Sequence, residues 1–322
     1  MKSAARPAVH RPGTAPPTAA GGDPPGAPRL TTTVPREYVH RPALSEVFLT
    51  DCSRIAGNRF SLTGQWPRAH AYFSPTAHRH DLLQAAETMR QAGLFLAHTE
   101  FRVPLGHRFT PWDVSFTVSP GRLAIGSVPT EVDLDVVCSD LVGQGEEVLE
   151  AVLEFTLRRE GEPAATGYLR FATAPSLPAA GTPDMPAAPW AVSAAPPPAL
   201  FGRTSPHDVV LVEAAAGTWR LLPDPAHPVL SDDGGPVAHL VALEAARQAT
   251  HAMFTPGRSD LLITGITCSF VRQPDPLRPC WIDATVLPVP GSGPLTARVT
   301  ARQDGRVVWE SHVHGDITPG CW

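Results

Sequence analysis

Two stretches constrain the fold of this chain more than any others, because each reads as an apolar helix interrupted by a single turn of charge. His239–Phe254 is apolar or small apart from Glu244, Arg247 and Gln248, and Leu82–Leu96 is the same apart from Glu87, Arg90 and Gln91. In both, the three polar residues stand at i, i+3 and i+4, in one narrow stripe of an α-helix. A surface helix renews its polar face at every turn. These two do not, so each is expected to be wrapped by other structure, with a carboxylate and a guanidinium that must be paired or put to use. An ion pair internal to the helix would account for one such triplet. Its appearance twice points to a repeated unit of fold that carries a pocket.

The rest of the chain falls into the same two halves. The first offers a short strand near Glu46–Thr50, a strand over Arg54–Gln65, a loop through Trp66–Phe73, and a helix over Asp81–His98. Extended segments then follow at Trp112–Val118, Glu131–Cys138, Glu147–Arg158 and Thr166–Ala172. Val132, Leu134 and Val136 alternate with Asp133 and Asp135, a period of two. The second half repeats the order: Asp208–Val212 with Arg203 before it, as Arg41 precedes the first strand, then Gly217–Leu222 and a helix over Val237–Phe254. Segments at Leu261–Phe270, Arg278–Val286, Thr296–Gln303 and Val307–His314 close it, with Asp304-Gly305 as a hairpin turn. A single helix wrapped by an antiparallel sheet is the hot-dog arrangement, an α+β class. Two of them make a tandem, or double, hot dog. Pro, Ala and Gly dominate residues 1–30, read as a disordered tail, and 175–200, read as a linker between repeats 31–174 and 201–322.

Composition narrows the function. A chain of 322 residues with 43% hydrophobic residues has room for two cores, and its net charge of −5 with no basic cluster excludes a nucleic-acid footprint. The five cysteines are scattered, without metal-site spacing, and point to thiols buried in a reducing cytoplasm. No apolar run is long enough to span a membrane, and the N-terminus lacks the apolar segment of a signal peptide. There is no Gly-x-Ser-x-Gly elbow and no phosphate-binding P-loop.

What remains is the chemistry of the two helices, which calls for neither metal nor cofactor. A glutamate there is a candidate base or hydrogen-bond anchor, and desolvation is expected to raise its pKa. An arginine one turn away suits a phosphate or an enolate oxygen, and Gln91 or Gln248 can orient a carbonyl. Among His40, His70, His98, His107, His207, His239 and His251, only His107 is singled out, because it follows the first helix and could return to its pocket.

Five segments in order carry a family resemblance. They are Val39-His-Arg with Glu46–Asp51, Pro67–Phe73 around His70, Ala86–Gly93 around Glu87, Val103–Phe109 around His107, and Leu243–Gln248. Together they resemble the A-factor biosynthesis (AfsA-type) proteins of actinomycetes, from about residue 32 to the C-terminus. The resemblance implies synthesis of γ-butyrolactone signalling molecules. A β-ketoacyl group passes from acyl carrier protein (or coenzyme A) thioester to the hydroxyl of dihydroxyacetone phosphate, and the ester then closes to a butenolide phosphate. Carried onto this chain, it implies Glu87, Glu244 and Arg247 as catalytic residues; the chemistry of the two helices adds Arg90, Gln91, Gln248 and His107 as substrate-binding candidates, and the exposed sheets of a double hot dog suit a homodimer. One departure stands out: the family's Asp-His-x-Pro-Gly-like turn is replaced by Ser231–Ala238, and the expected histidine falls at Pro236. A hot-dog dehydratase or thioesterase, and a non-enzymatic acyl or acyl-carrier binder, stay open as alternatives.

Overall fold

The computed structural model describes residues 32–144, 147–175, 197–215, 217–232, 235–236, 238–254, 261–275, 278–287 and 295–317. The tail expected over 1–30 and most of the linker expected over 175–200 lie outside them.

The first half builds β1 (Leu49–Ala56), β2 (Arg59–Trp66), α1 (Leu82–Thr99), β3 (His107–Val118), β4 (Thr130–Gln144), β5 (Glu147–Arg159) and β6 (Glu162–Pro175). The second builds β7 (Leu211–Ala215), β8 (Thr218–Leu221), the short pair β9 (Ser231–Asp232) and β10 (Gly235–Pro236), and α2 (Ala238–Phe254). It ends with β11 (Leu261–Phe270), β12 (Cys280–Leu287), β13 (Leu295–Gln303) and β14 (Arg306–Ile317). All strands but β9 and β10 join one sheet in the order β1-β2-β4-β5-β6-β3-β11-β14-β13-β12-β8-β7, and every pairing is antiparallel. Each half contributes a sheet of the same order around one long helix, so the fold is the expected tandem hot dog.

Differences from the expected strands have local causes. The strand expected over Arg54–Gln65 is a hairpin, because Gly57 adopts a positive φ of 52° and turns the chain between β1 and β2. The strand expected from Trp112 starts at His107, since β6 offers partners along its whole length, from Ala165 opposite Val118 to Pro175 opposite His107.

The halves meet where β3 runs beside β11, from Gly265 opposite Thr117 to Ser269 opposite Asp113. A Cβ at Gly265 would lie 2.9 Å from the Phe116 carbonyl oxygen, so only glycine allows this approach. α1 is apolar almost all round and buried to match, and Asp81 caps it by accepting from Leu83 N at 2.9 Å. Gly93 lets α1 sit close on the sheet, with the Leu169, Leu153 and Phe155 side chains where its Cβ would point. Among the described residues no helix is long and apolar enough to cross a membrane.

Candidate functional site

Each helix brings its charged turn into a buried cluster, and the two clusters follow one plan. At α1, Glu87 Oε1 accepts from Arg41 Nε (2.9 Å), Arg90 Nη2 (2.8 Å) and Gln91 Nε2 (2.8 Å). Its Oε2 takes Arg90 Nε at 2.8 Å and pairs with Arg41 Nη2 at 2.8 Å. At α2, Glu244 Oε1 accepts from Arg247 Nη2 (2.8 Å) and Gln248 Nε2, while Arg203 Nε and Nη2 grip its two oxygens at 2.8 and 2.6 Å. Gln91 and Gln248 spend the rest of their amides on the strand approach: Gln91 on Phe48 N and Glu46 O, Gln248 on Val210 N and Asp208 O.

The halves are tied crosswise. Arg41 of the first donates to Val229 O of the second at 2.7 Å, and Arg203 of the second donates to Tyr72 O of the first at 2.7 Å. Both receiving loops are held by a histidine. His70 Nδ1 accepts from Tyr72 N and Phe73 N with Nε2 on Glu46; His227 Nδ1 accepts from Val229 N and Leu230 N with Nε2 on Asp208. One sequence offset relates Glu87 to Glu244, Arg90 to Arg247, Gln91 to Gln248, His70 to His227 and Tyr72 to Val229.

That offset also relates Asp81 to Ala238, and here the symmetry fails. Asp81 reaches across to the second cluster, with Oδ2 3.1 Å from Arg247 Nη1 and 3.6 Å from Arg203 Nη1. Two carboxylates therefore face two guanidiniums at α2, and the Arg203 guanidinium also stacks 4.1 Å over the Tyr72 ring. Among the described residues, the buried polar atoms left unmatched there are Arg247 Nε and the Tyr72 hydroxyl. At α1, among the described residues, Glu87 is the carboxylate that bonds Arg41 and Arg90, with Glu46 acting on Arg41 from farther off. Arg90 bonds through Nε and Nη2, and its Nη1 has no partner among the described residues.

Electrostatics carry the same difference. Burial pushes the Arg41 pKa down and is not fully offset by Glu87, whereas at Arg203 Glu244 leads the groups that outweigh burial and raise it. The expectation that desolvation raises the glutamates is corrected. Burial does push both up, but at Glu87 the arginines Arg41 and Arg90 win and hold it down to about 2. Arg203 and Arg247 likewise hold Glu244 far below the carboxylate range. Both are ionised at neutral pH with their lone pairs committed to donors.

Beside Arg90 opens a narrow crevice. It holds about 10 Å³ and is lined mostly by apolar side chains such as Met89, Phe116, Phe155 and Leu169, with Ser115, Tyr168, Arg90 and, from α2, His239 also bordering it. The described thiols offer no nucleophile: burial raises Cys138, Cys268 and Cys280 to about 12 and Cys52 to about 11.

The family model of the A-factor biosynthesis hotdog domain matches residues 22–175 and again 190–319. The chain belongs to the A-factor biosynthesis (AfsA-type) hotdog family. Three Streptomyces relatives within reach of it carry the name 2-oxo-3-(phosphooxy)propyl 3-oxoalkanoate synthase. That of S. virginiae is 42% identical over 87% of this chain and 96% of its own. That of S. coelicolor is 35% identical over 89% and 93%, and that of S. griseus 33% identical over 88% and 96%. In fold, the chain is similar to the pyran synthase domain from module nine of the sorangicin pathway. That likeness has a TM-score of 0.50 at 13% identity and covers 85% of this chain and 98% of that one.

Within this AfsA-type chain the structure gathers Glu87, Arg90 and Gln91 into one cluster and Glu244, Arg247 and Gln248 into the other. His107 stands apart. It opens β3 and neighbours His98, about three turns along α1 from Glu87. Pro236 lies in β10, paired with Ser231; its side chain is outside the described residues. Sequence reasoning noted the Arg41–Arg203 echo without assigning it to the site, and missed Asp81 and His227. The recurrence of His-x-Tyr at His70 as His-x-Val at His227, at the helix offset, was the available signal.

Proposed function

We propose that this chain is a 2-oxo-3-(phosphooxy)propyl 3-oxoalkanoate synthase, an acyl-transferring enzyme of γ-butyrolactone synthesis. The observation that carries this reading is its likeness, over nearly the whole chain, to Streptomyces enzymes of that name. The product name states the chemistry: an ester whose alcohol half is dihydroxyacetone phosphate and whose acid half is a β-ketoacyl chain. The hydroxyl attacks the thioester carbonyl, a C–O bond forms, the C–S bond breaks, and the proton of the hydroxyl ends on the departing thiolate. The thioester is carried by acyl carrier protein.

The reaction takes place at α1. Arg90 meets the phosphate or the β-keto oxygen through Nη1, which has no partner among the described residues. The acyl chain enters between Met89, Phe116, Phe155 and Leu169, side chains that must part to admit it, since the crevice between them holds only about 10 Å³. Glu87 aims Arg90, and Gln91 fixes both to the strand approach. Holding the two substrates in register supplies much of the rate. At α2, where Asp81 already occupies Arg247, the same groups fasten the halves together.

The test incubates the purified chain with a β-ketoacyl–acyl carrier protein and dihydroxyacetone phosphate, and reads products by mass spectrometry. The phosphorylated ester is expected; free β-keto acid without ester would overturn the reading in favour of a thioesterase. Arg90→Lys keeps the charge but loses the paired grip on Glu87. It is expected to lower kcat/KM for the triose phosphate about 10²-fold, whereas Arg247→Lys, in a buried cluster that fastens the halves, is expected to lower stability and to cost the folded protein less than about tenfold in kcat/KM. Equal losses would refute the assignment to α1.

The crevice gives a second prediction. A Cβ at Gly167 would fall 2.3 Å from Met89 Sδ and 3.1 Å from the Ser115 carbonyl oxygen. Gly167→Ala must therefore displace Met89, a side chain that lines the crevice, at a stability cost of about 1 kcal/mol. Competition between acyl chains of different length is expected to show a shift towards shorter ones. An unchanged preference would place the chain elsewhere.

A further inference from the structure

The synthase reading leaves one role unfilled, because something must take the proton from the attacking hydroxyl. Glu87 cannot serve while both its oxygens are held by Arg41, Arg90 and Gln91. Ser115 Oγ, on the crevice wall, is engaged with Thr267 Oγ1 at 2.9 Å. His40 and His98 are turned on each other, Nε2 to Nε2 at 2.9 Å, and His98 Nδ1 is committed to Val103 O. Neither lines the crevice.

His239 does. It is the second residue of α2, and it enters the first half's crevice beside Arg90. Its Nε2 is shielded from solvent and has no hydrogen-bond partner among the described residues. A buried, unmatched ring nitrogen is costly unless it has a use. We propose that His239 is the general base of ester formation, supplied to the α1 site by the helix of the other repeat. This proposal rests on the synthase reading and on the placement of substrate at α1.

The proton passes from the triose phosphate hydroxyl to His239 Nε2 as the hydroxyl oxygen attacks the thioester carbon. When the tetrahedral intermediate collapses, the C–S bond breaks and the imidazolium returns the proton to the thiolate. The ring ends as it began. The charged groups that face it explain when it acts. Burial first, then Arg90, and after the opposing pull of Glu87, Arg41, hold the free imidazole's pKa down to about 3. Tyr168, also on the crevice wall, is uncharged at neutral pH, its pKa raised by burial. A phosphate on Arg90 cancels the repulsion from the guanidiniums, so the ring gains proton affinity when the substrate that needs it arrives.

His239→Gln and His239→Asn, both of which fit the same space, test this in the full chain. Thermal melting within about 3 °C of the parent establishes that each is folded. With β-ketoacyl–acyl carrier protein and saturating triose phosphate, kcat is expected to fall about 10²-fold or more in both, with KM for triose phosphate within about threefold. An acid limb is expected in the kcat–pH profile of the parent and is expected to be missing from both variants. In the parent, dihydroxyacetone phosphate is expected to raise the His239 titration measured by NMR. A smaller loss of kcat in either folded variant, an unchanged acid limb or an unmoved titration overturns the role of His239 and leaves the synthase reading standing. Absence of ester from the parent chain would overturn both.

Discussion

Glu244→Ala is expected to lower the unfolding free energy by about 3–5 kcal/mol, measured by urea denaturation at neutral pH. Glu244 is fully buried and is the anchor for Arg203 and Arg247, themselves only 5% exposed each. Without it, two guanidiniums share Asp81 as their carboxylate, at 3.1 and 3.6 Å, in surroundings shielded from solvent. The damage should not stay local, since Arg203 also holds Tyr72 O of the other half. Adding Arg247→Met to the same chain removes one orphaned charge and is expected to return part of the loss. A single-variant loss below about 1 kcal/mol would mean that the cluster is far less committed than its geometry.

The second large effect is a loss of stability in mild acid, well above the range where carboxylates titrate. Burial leads the causes that lower His40 and His239 to about 3 and His80 and His251 to about 4, with Arg90 next at the first two, Arg159 at His80 and Arg247 at His251. A histidine whose folded pKa lies below its ordinary 6.5 is protonated first in the unfolded chain. Its contribution is whole above pH 6.5 and drains away as the pH falls towards the folded value. Four such groups together remove on the order of several kcal/mol between pH 7 and pH 5, a large share of a domain's margin. Glu87 adds a separate step lower down: its folded pKa of about 2 lies below the ordinary 4.5, so its contribution is kept above 4.5 and lost towards 2. Urea midpoints followed by tryptophan fluorescence should fall clearly from pH 7 to pH 5, and a flat profile across that interval would contradict the burial of these rings.

The fold was legible because its signal is periodic. Glu87 and Glu244 each stand in a helix with no second polar turn, and Val132, Leu134 and Val136 alternate against Asp133 and Asp135. The helix triplets were equally plain, since i, i+3 and i+4 are adjacent on any α-helix. What the sequence hid is everything that crosses between halves. Asp81 reads as a helix cap, and so it is, but its second oxygen serves arginines far along the chain. His239 reads as an ordinary first-turn residue until α2 is laid beside α1. The direction of the glutamate pKa shifts was hidden for the same reason: one guanidinium is visible at i+3, while the second comes from Arg41 or Arg203, outside the helix. Desolvation can be guessed from composition, but its compensation needs coordinates.

The reciprocal ties from Arg41 to Val229 O and from Arg203 to Tyr72 O have a consequence for how such a molecule can vary. Each half completes its ion cluster with a backbone oxygen lent by the other, a group that every amino acid possesses. A side chain in either loop can change without withdrawing the loan, whereas a shift of either backbone loosens the cluster of the opposite half. The two halves are thus free to diverge in sequence but not in shape. One can specialise for turnover while its twin, chemically quiet, goes on serving as its clasp.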